Sequence, residues 1–429
     1  MARIDHAFSQ NHRMYGSLSW SYLLESWGNP FRNVSTGMLR NRKHRGIALD
    51  DVITVRPNLV LNLRYGLTRF ILYDRHQSVG FDLASLGFPS SLINLLDRAT
   101  TTFPEIAIDG YATLGGTPGF LNPTNYHFLS GTASHIRGTH SLRMGGEFRV
   151  LQENNSNWGY TSPRIEFGTL WTRGPLDNSP AAPIGQGLAS FLLGRTTGGY
   201  ADRNASYAET SKYAALFVHD DWKATRKLTL NLGLRWEFFL PTTERFNRTN
   251  RGFDLSTPNP IEAAAKAAYA ASPIPEVPAD RFRTIGGLLF AGVGGQPRGL
   301  WEPQLRNIAP RFGFAYSLTS STVVRGGYGI FYESVGADRI DVVQQGFSQR
   351  TNITPSQDNG LTFRATLQNP LPDGILNPPG ASAGLKTFLG RAPSWTTPSR
   401  RAGLIQRWSF NVQRELPQRI LLEVGYVGN

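Results

Sequence analysis

The 429 residues contain no cysteine. That excludes a disulfide framework, a thiolate metal site and a cysteine nucleophile. Nor does any stretch offer the roughly 18 or more consecutive apolar residues that a membrane helix needs. The second absence excludes a helical membrane protein but does not reach a β-barrel, whose alternating strands average to a polar composition. The apolar share of 40% and the mean hydropathy of −0.29 therefore fit a soluble protein and a barrel equally well. Acidic residues are scarce, 31 against 44 Lys and Arg, for a formal net charge of +13. The arginines are scattered over every segment, and their densest groups, RNRKHR at 40–45 and SRR at 399–401, read as loop. No nucleic-acid-binding motif accompanies them, so nucleic acid is not an expected partner. The opening MARIDHAFSQNH lacks the apolar core and small-residue cleavage site of a secretory signal.

Catalytic signatures are also missing. LLFAGVGGQPRG, at 288–299, has glycines but no Gly-Lys-Ser/Thr, and there is no G-x-S-x-G elbow. Asp50 and Asp51 are adjacent, so on a strand they project to opposite faces and make no carboxylate pair. The cluster His219, Asp220 and Asp221 is the best metal candidate, yet alternation sets Asp220 against the other two, and a structural use of all three is expected. His135 and His140 flank a tight turn and read as solvated. No catalytic residue, metal ligand or cofactor is expected.

What is present is alternation. In KLTLNLGLRWEFF, at 227–239, the residues Leu228, Leu230, Leu232, Leu234, Trp236 and Phe238 share one face of a strand, and Thr229, Asn231, Gly233, Arg235 and Glu237 share the other. Period two argues a β-strand, but a protein core and a lipid bilayer would both accept the apolar face. The same pattern recurs. It places Met14, Leu18, Trp20 and Tyr22 together, then Leu59, Leu61, Leu63 and Tyr65, then Leu142, Met144, Phe148 and Val150. Further along it groups Phe312 with Phe314, Tyr328 with Ile330 and Tyr332, Trp408 with Phe410 and Val412, and Leu422 with Val424.

The connections alternate in length. Tight links sit near Gln10–Asn11, Arg56–Asn58, Arg137–Thr139, Ala224–Arg226, Ser320–Ser321 and Leu416–Gln418, with the Pro, Gly, Asn and Ser that turns favour. Long ones lie at about 23–44, 71–123, 152–208, 241–308 and 334–403. The order predicts about six hairpins, or twelve strands, with all long loops at one end. Loops beyond roughly 12–15 residues are uncommon in a compact soluble domain, whereas short turns at one end and long loops at the other describe an outer-membrane barrel. Thirteen residues at roughly 3.4 Å each, tilted by about 45°, span on the order of 30 Å, a hydrocarbon core. The fold expected is all-β, an antiparallel transmembrane β-barrel with short periplasmic turns and long extracellular loops. IEAAAKAAYAA, at 261–271, predicts a short surface helix within one loop, with Glu262 and Lys266 in the favourable i,i+4 order.

KYAALFVHDDWKATRKLTLNLGLRWEFFLPTTERFNR, at 212–248, strongly resembles the barrel of TonB-dependent outer-membrane transporters. RIDHAFSQNHRMYG at 3–16, GFDLASLGFPSSL at 80–92, HSLRMGGEFR at 140–149, LASFLLGR at 188–195, IAPRFGFAYSLTSSTVVRGGYGIFYE at 308–333 and RWSFNVQRELPQRILLEVGYVGN at 407–429 resemble its Oar-like branch. The resemblance implies a barrel typically of 22 strands holding a plug, preceded by a signal peptide, a carboxypeptidase-regulatory-like sandwich and a coupling box. None of these preceding parts is legible here, so the expectation is a partial barrel, about 12 strands of wall, not competent for transport alone. The implied role is energy-coupled substrate uptake, with outer-membrane lipid as one partner. A TonB-type motor would act only through the plug and coupling-box segments. The alternative is an adhesion or surface-structural protein on the same scaffold. The cargo is not legible.

On this reading the lipid-facing strand positions are Leu61, Leu63, Leu142, Leu230, Leu232, Leu234, Phe312, Phe314, Ile330, Phe410, Val412, Leu422 and Val424. The aromatic girdle comprises Trp20, Tyr22, Trp222, Trp236, Phe238, Tyr332 and Trp408. The lumen-facing residues are Arg64, Arg143, Glu147, Arg149, Arg235 and Glu237, where a plug would pair with them.

Overall fold

A computed structural model describes residues 1–172, 185–333, 344–358 and 361–429. Residues 173–184, 334–343 and 359–360, within two of the expected long connections, lie outside the described residues. The wall is one antiparallel sheet of twelve strands in sequence order: β1 (Ala2–Ser9), β2 (His12–Trp27), β3 (Met38–Arg56), β4 (Leu59–His76), β5 (Gly119–Arg137), β6 (His140–Asn157), β7 (Tyr207–Trp222), β8 (Leu228–Phe239), β9 (Gln304–Ser317), β10 (Thr322–Tyr332), β11 (Leu404–Leu416) and β12 (Ile420–Gly428). Each strand pairs with the next, and β1 and β12 are the free edges of an open sheet. All six tight links fall where the turn residues stand. Among the described residues no helix is long and apolar enough to cross a membrane.

The strands outrun their expected length. Both β3 and β5 have 19 residues, roughly 45 Å of height at about 3.4 Å per residue and a 45° tilt. RNRKHR is therefore not loop, as its composition suggests, but part of β3. Cross-strand ion pairs hold it there. Arg40 reaches Asp74 of β4 at 2.5 Å and Arg42 reaches Glu25 of β2 at 3.2 Å. The first expected long connection shrinks accordingly to residues 28–37.

The two faces of the wall differ. On the leucine face, Leu61, Leu63, Leu232, Leu234, Phe312, Phe410, Leu422 and Val424 are exposed, while Leu142, Leu230, Phe314, Ile330 and Val412 are half-buried among them. Register keeps this face in phase across strands: Leu230 stands opposite Phe314, Leu232 opposite Phe312, and Val412 opposite Val424. Close approach is built in at Gly145 of β6. A Cβ there would come 2.2 Å from the carbonyl of Gly131, with the ring of Phe217 3.0 Å away on the neighbouring strand.

The buried apolar core lies in the long connections rather than in the wall. Leu83, Phe88, Leu92, Ile106, Ile165, Phe167, Ile353 and Leu371, drawn from three separate connections, form one cluster. A four-stranded sheet braces it, ordered Gln349–Asn352, Gly198–Arg203, Arg164–Phe167 and Glu105–Ile108. Arg164 ties that sheet together by pairing with Glu105 and, at 2.7 Å, with Glu166. A second loop hairpin, Asn250–Pro258 with Ile285–Phe290, carries the exposed helix Glu262–Ala270, whose Glu262 and Lys266 pair at 2.5 Å. The connections thus fold on one another into a cap at one end of the wall.

Candidate functional site

The polar face gathers its charges on β6, β7 and β8. Register sets Ala215 of β7 opposite both Glu147 of β6 and Glu237 of β8, and Phe217 opposite Arg235. Ala215 is buried beneath them, and its single methyl leaves room for three long side chains to meet above it. The Arg235 guanidinium donates to Glu147 at 2.5 Å, to Glu237 at 2.7 Å and to the Tyr213 hydroxyl at 2.8 Å. Tyr213 in turn donates to Glu237 at 2.9 Å. Arg149 pairs with Glu147 at 2.7 Å and lies 5.0 Å from the Tyr213 ring centre. Two arginines and two glutamates therefore neutralise one another; Arg235, Glu147 and Glu237 are largely buried while Arg149 is 42% exposed, and the mutual pairing is what makes the buried charges tolerable. It floors a cavity of about 450 Å³ that also touches Tyr126, Phe239, Arg311 and Tyr332.

One step toward the short turns, the balance is lost. Arg143 of β6 stands opposite His219, His219 opposite Gly233, and Gly233 opposite Arg311 of β9. Arg143 and Arg311 are exposed, and neither forms a salt bridge among the described residues. They line a second cavity of about 370 Å³ with Phe217 and His219. Arg64, on the same face, is taken by Asp50. The polar face thus presents an ion network under the cap and free cations below it.

Near the cap a third arrangement appears. Glu209 of β7 stands opposite Glu153 of β6 and opposite Glu244 of the following connection, and all three are buried. The Glu244 carboxylate accepts the backbone N–H groups of Ala208, Phe246 and Arg248 at 2.7–2.9 Å. Glu209 stands thirteen residues from the turn-side end of β7 at Trp222, on the order of 31 Å of height at about 3.4 Å per residue and a 45° tilt, beyond the roughly 25 Å apolar band of a transmembrane barrel. Burial, and secondarily the charge of Glu244, push its carboxyl up to about 7.

The structure separates His219, Asp220 and Asp221 as alternation requires. His219 bonds Asp221 at 3.0 Å on the polar face, and Asp221 also accepts from Asn231. Asp220 turns to the leucine face and bonds His140 at 2.7 Å. His140 is therefore not simply solvated. Its ring stacks on Trp222 with centroids 5.3 Å apart. The same device recurs at His12, which bonds Asp51 at 2.7 Å and stacks on Phe8 at 4.6 Å. These pairs escaped the sequence reading because their partners lie 80 and 39 residues apart. Among the described residues no group of three or more His, Asp or Glu is arranged to hold a metal ion.

Of the aromatic positions, Trp20, Tyr22, Trp236 and Trp408 are exposed on the leucine face. The Trp236 indole N–H donates to the Leu305 carbonyl at 2.7 Å. Trp222 and Phe238 are half-buried. Tyr332 stands apart from the girdle pattern: it packs against the cluster of Phe239, Leu300 and Trp301 and lines the larger cavity.

The whole chain, residues 1–429, matches the family model described as "Outer membrane beta barrel domain". No curated protein matches it. Among solved structures it is similar to the alcaligin outer-membrane receptor FauA of Bordetella pertussis, with 8% identity and a TM-score of 0.42, covering 99% of this chain and 52% of that one. The ferric-catecholate import receptor Fiu of E. coli K12 gives 9% identity and 0.40, covering 99% and 51%. The ferric yersiniabactin receptor FyuA of Yersinia pestis gives 9% and 0.38, covering 97% and 42%. The chain spans about half the length of these structures or less.

Proposed function

The chain belongs to the outer membrane beta barrel domain family, and from that premise we propose that it forms the wall and loop cap of an Oar-like TonB-dependent transporter. The leucine face meets lipid and the polar face lines the lumen. The observation that carries this reading is the division of charge: the ion network and the free cations Arg143 and Arg311 lie on one face, and exposed leucines on the other. A soluble sandwich would bury those leucines against a second sheet. Unpaired strand edges cost heavily in lipid, so on this reading the edges of β1 and β12, open in the described sheet, are paired in the membrane. A plug carrying acidic groups would pair with Arg143 and Arg311, and through its coupling box a TonB-type motor would drive uptake. Cargo meets the cap first.

The test compares host cells with and without this gene for compounds depleted from the medium, each with and without a protonophore. The reading expects depletion that needs both the gene and an energised inner membrane. Gene-dependent depletion that persists in the presence of the protonophore would point to a passive pore instead.

A further inference from the structure

On the leucine face of β2 to β5 the register runs in rows. Leu18, Ile47 and Leu67 make one row. The next row toward the cap is Trp20, Arg45, Arg69 and Asn125, and the one beyond it begins Tyr22, Lys43 and Ile71. The surface changes from aliphatic to basic in a single step. Arg45 and Arg69 stand directly opposite each other, an arrangement that destabilises a sheet when nothing negative lies over it. Both are exposed, as is Lys43. Among the described residues none of the three is in a salt bridge. Their contacts are neutral: Lys43 lies 5.6 Å from the Tyr22 ring centre, and Arg69 donates to the Asn125 side-chain oxygen at 2.9 Å. The nearest carboxylates of these strands, Glu25 and Asp74, are on the opposite face, where Arg42 and Arg40 hold them.

Height gives the cluster its meaning. Arg45 stands eleven residues before the end of β3 at Arg56, on the order of 26 Å at about 3.4 Å per residue and a 45° tilt. The apolar band of such walls is about 25 Å tall. The cations therefore sit where hydrocarbon gives way to headgroups on the cap side, beside the exposed rings of Trp20 and Tyr22. Two guanidinium forks on directly opposed positions and an ammonium one row further along the same strand match the oxygens of a phosphate.

We infer that Arg45, Arg69 and Lys43 form a docking site for the phosphate-bearing headgroup of a lipid in the cap-side leaflet, with Trp20 and Tyr22 packing against the base of that headgroup. The inference rests on the lipid-facing reading of this surface. In the experiment, the full chain is placed in phosphatidylcholine nanodiscs, and binding of a diphosphorylated glucosamine lipid is read by native mass spectrometry. The double variant Arg45→Gln/Arg69→Gln should bind it roughly 30-fold more weakly, from the attraction typical of basic residues at an anionic membrane surface. The dephosphorylated form of the lipid should bind wild type as weakly. Equal binding by variant and wild type overturns the site. So does displacement of the lipid by equimolar inorganic phosphate, which would mark a free-anion site. Should the variant fail to insert, the lipid pair decides on wild type alone, where equal binding of the two forms refutes the proposal. Because the chain has no cysteine, a nitroxide on Ile47→Cys reports the facing separately. A label shielded from oxygen in the bilayer defeats the lipid-facing reading, whereas an oxygen-accessible label with no phosphate preference defeats the docking site alone.

Discussion

Leu232→Arg puts a cation at the centre of the leucine face. Leu232 is 38% exposed, opposite Phe312 on β9. It lies five residues above Lys227 and four below Trp236, about 12 Å and about 10 Å of height at 3.4 Å per residue and a 45° tilt. That is the middle of an apolar band about 25 Å tall, where arginine costs roughly 2–4 kcal/mol, falling to about 0–1 near the interfaces. The same change at Trp236 should therefore cost about 1 kcal/mol or less, and at Thr229, on the polar face, little. Urea unfolding from lipid vesicles, followed by tryptophan fluorescence, measures all three. Equal losses at Leu232 and Thr229 would refute the facing assignment, and equal losses at Leu232 and Trp236 would refute the depth assignment.

Other consequences follow from the polar face. Arg235→Gln leaves Glu147 and Glu237 without their shared cation, at a cost of about 3 kcal/mol, the low end for an uncompensated buried charge. Adding Glu147→Gln should recover part of it, and a double-mutant cycle showing no coupling would count against the network. Glu209 carries a pH dependence. Its folded pKa, about 7, lies above the ordinary 4.5, so its stabilising effect is complete below pH 4.5 and lost as pH rises through 7. Protease nicking of the cap should accelerate from pH 5 to pH 8 in wild type and less so in Glu209→Gln; matching profiles would contradict the buried-pair reading. Gly145→Ala should weaken the β5–β6–β7 packing, since its methyl meets backbone, and a variant as stable as wild type would show that the strands can part there.

Much of the wall was legible because its signals are local. Period two in KLTLNLGLRWEFF and turn residues at Arg56–Asn58 or Arg137–Thr139 need no knowledge of distant partners. Strand ends are hidden from composition where polar residues such as Arg40 and Arg42 are held by Asp74 and Glu25 on neighbouring strands. The cap was illegible for the same reason at longer range. Leu83, Ile165 and Ile353 each stand in irregular, Gly- and Pro-rich sequence, and only the folding of their three connections over the wall brings them together. At the candidate site, alternation assigned Glu147, Arg149, Arg235 and Glu237 to one face and an unseen plug as their partner. Register pairs them with each other, and leaves Arg143 and Arg311 as the free charges.

In the proposed transporter wall one face meets hydrocarbon and the other meets water. Single cysteines from Leu228 to Phe239, nitroxide-labelled in a lipid bilayer, test it by collision with oxygen and with a polar nickel chelate. Strict period two is expected, with oxygen favoured at Leu230, Leu232 and Leu234 and the chelate at Thr229, Asn231 and Gly233. Chelate access at every position, or no alternation between the two sets, would contradict it.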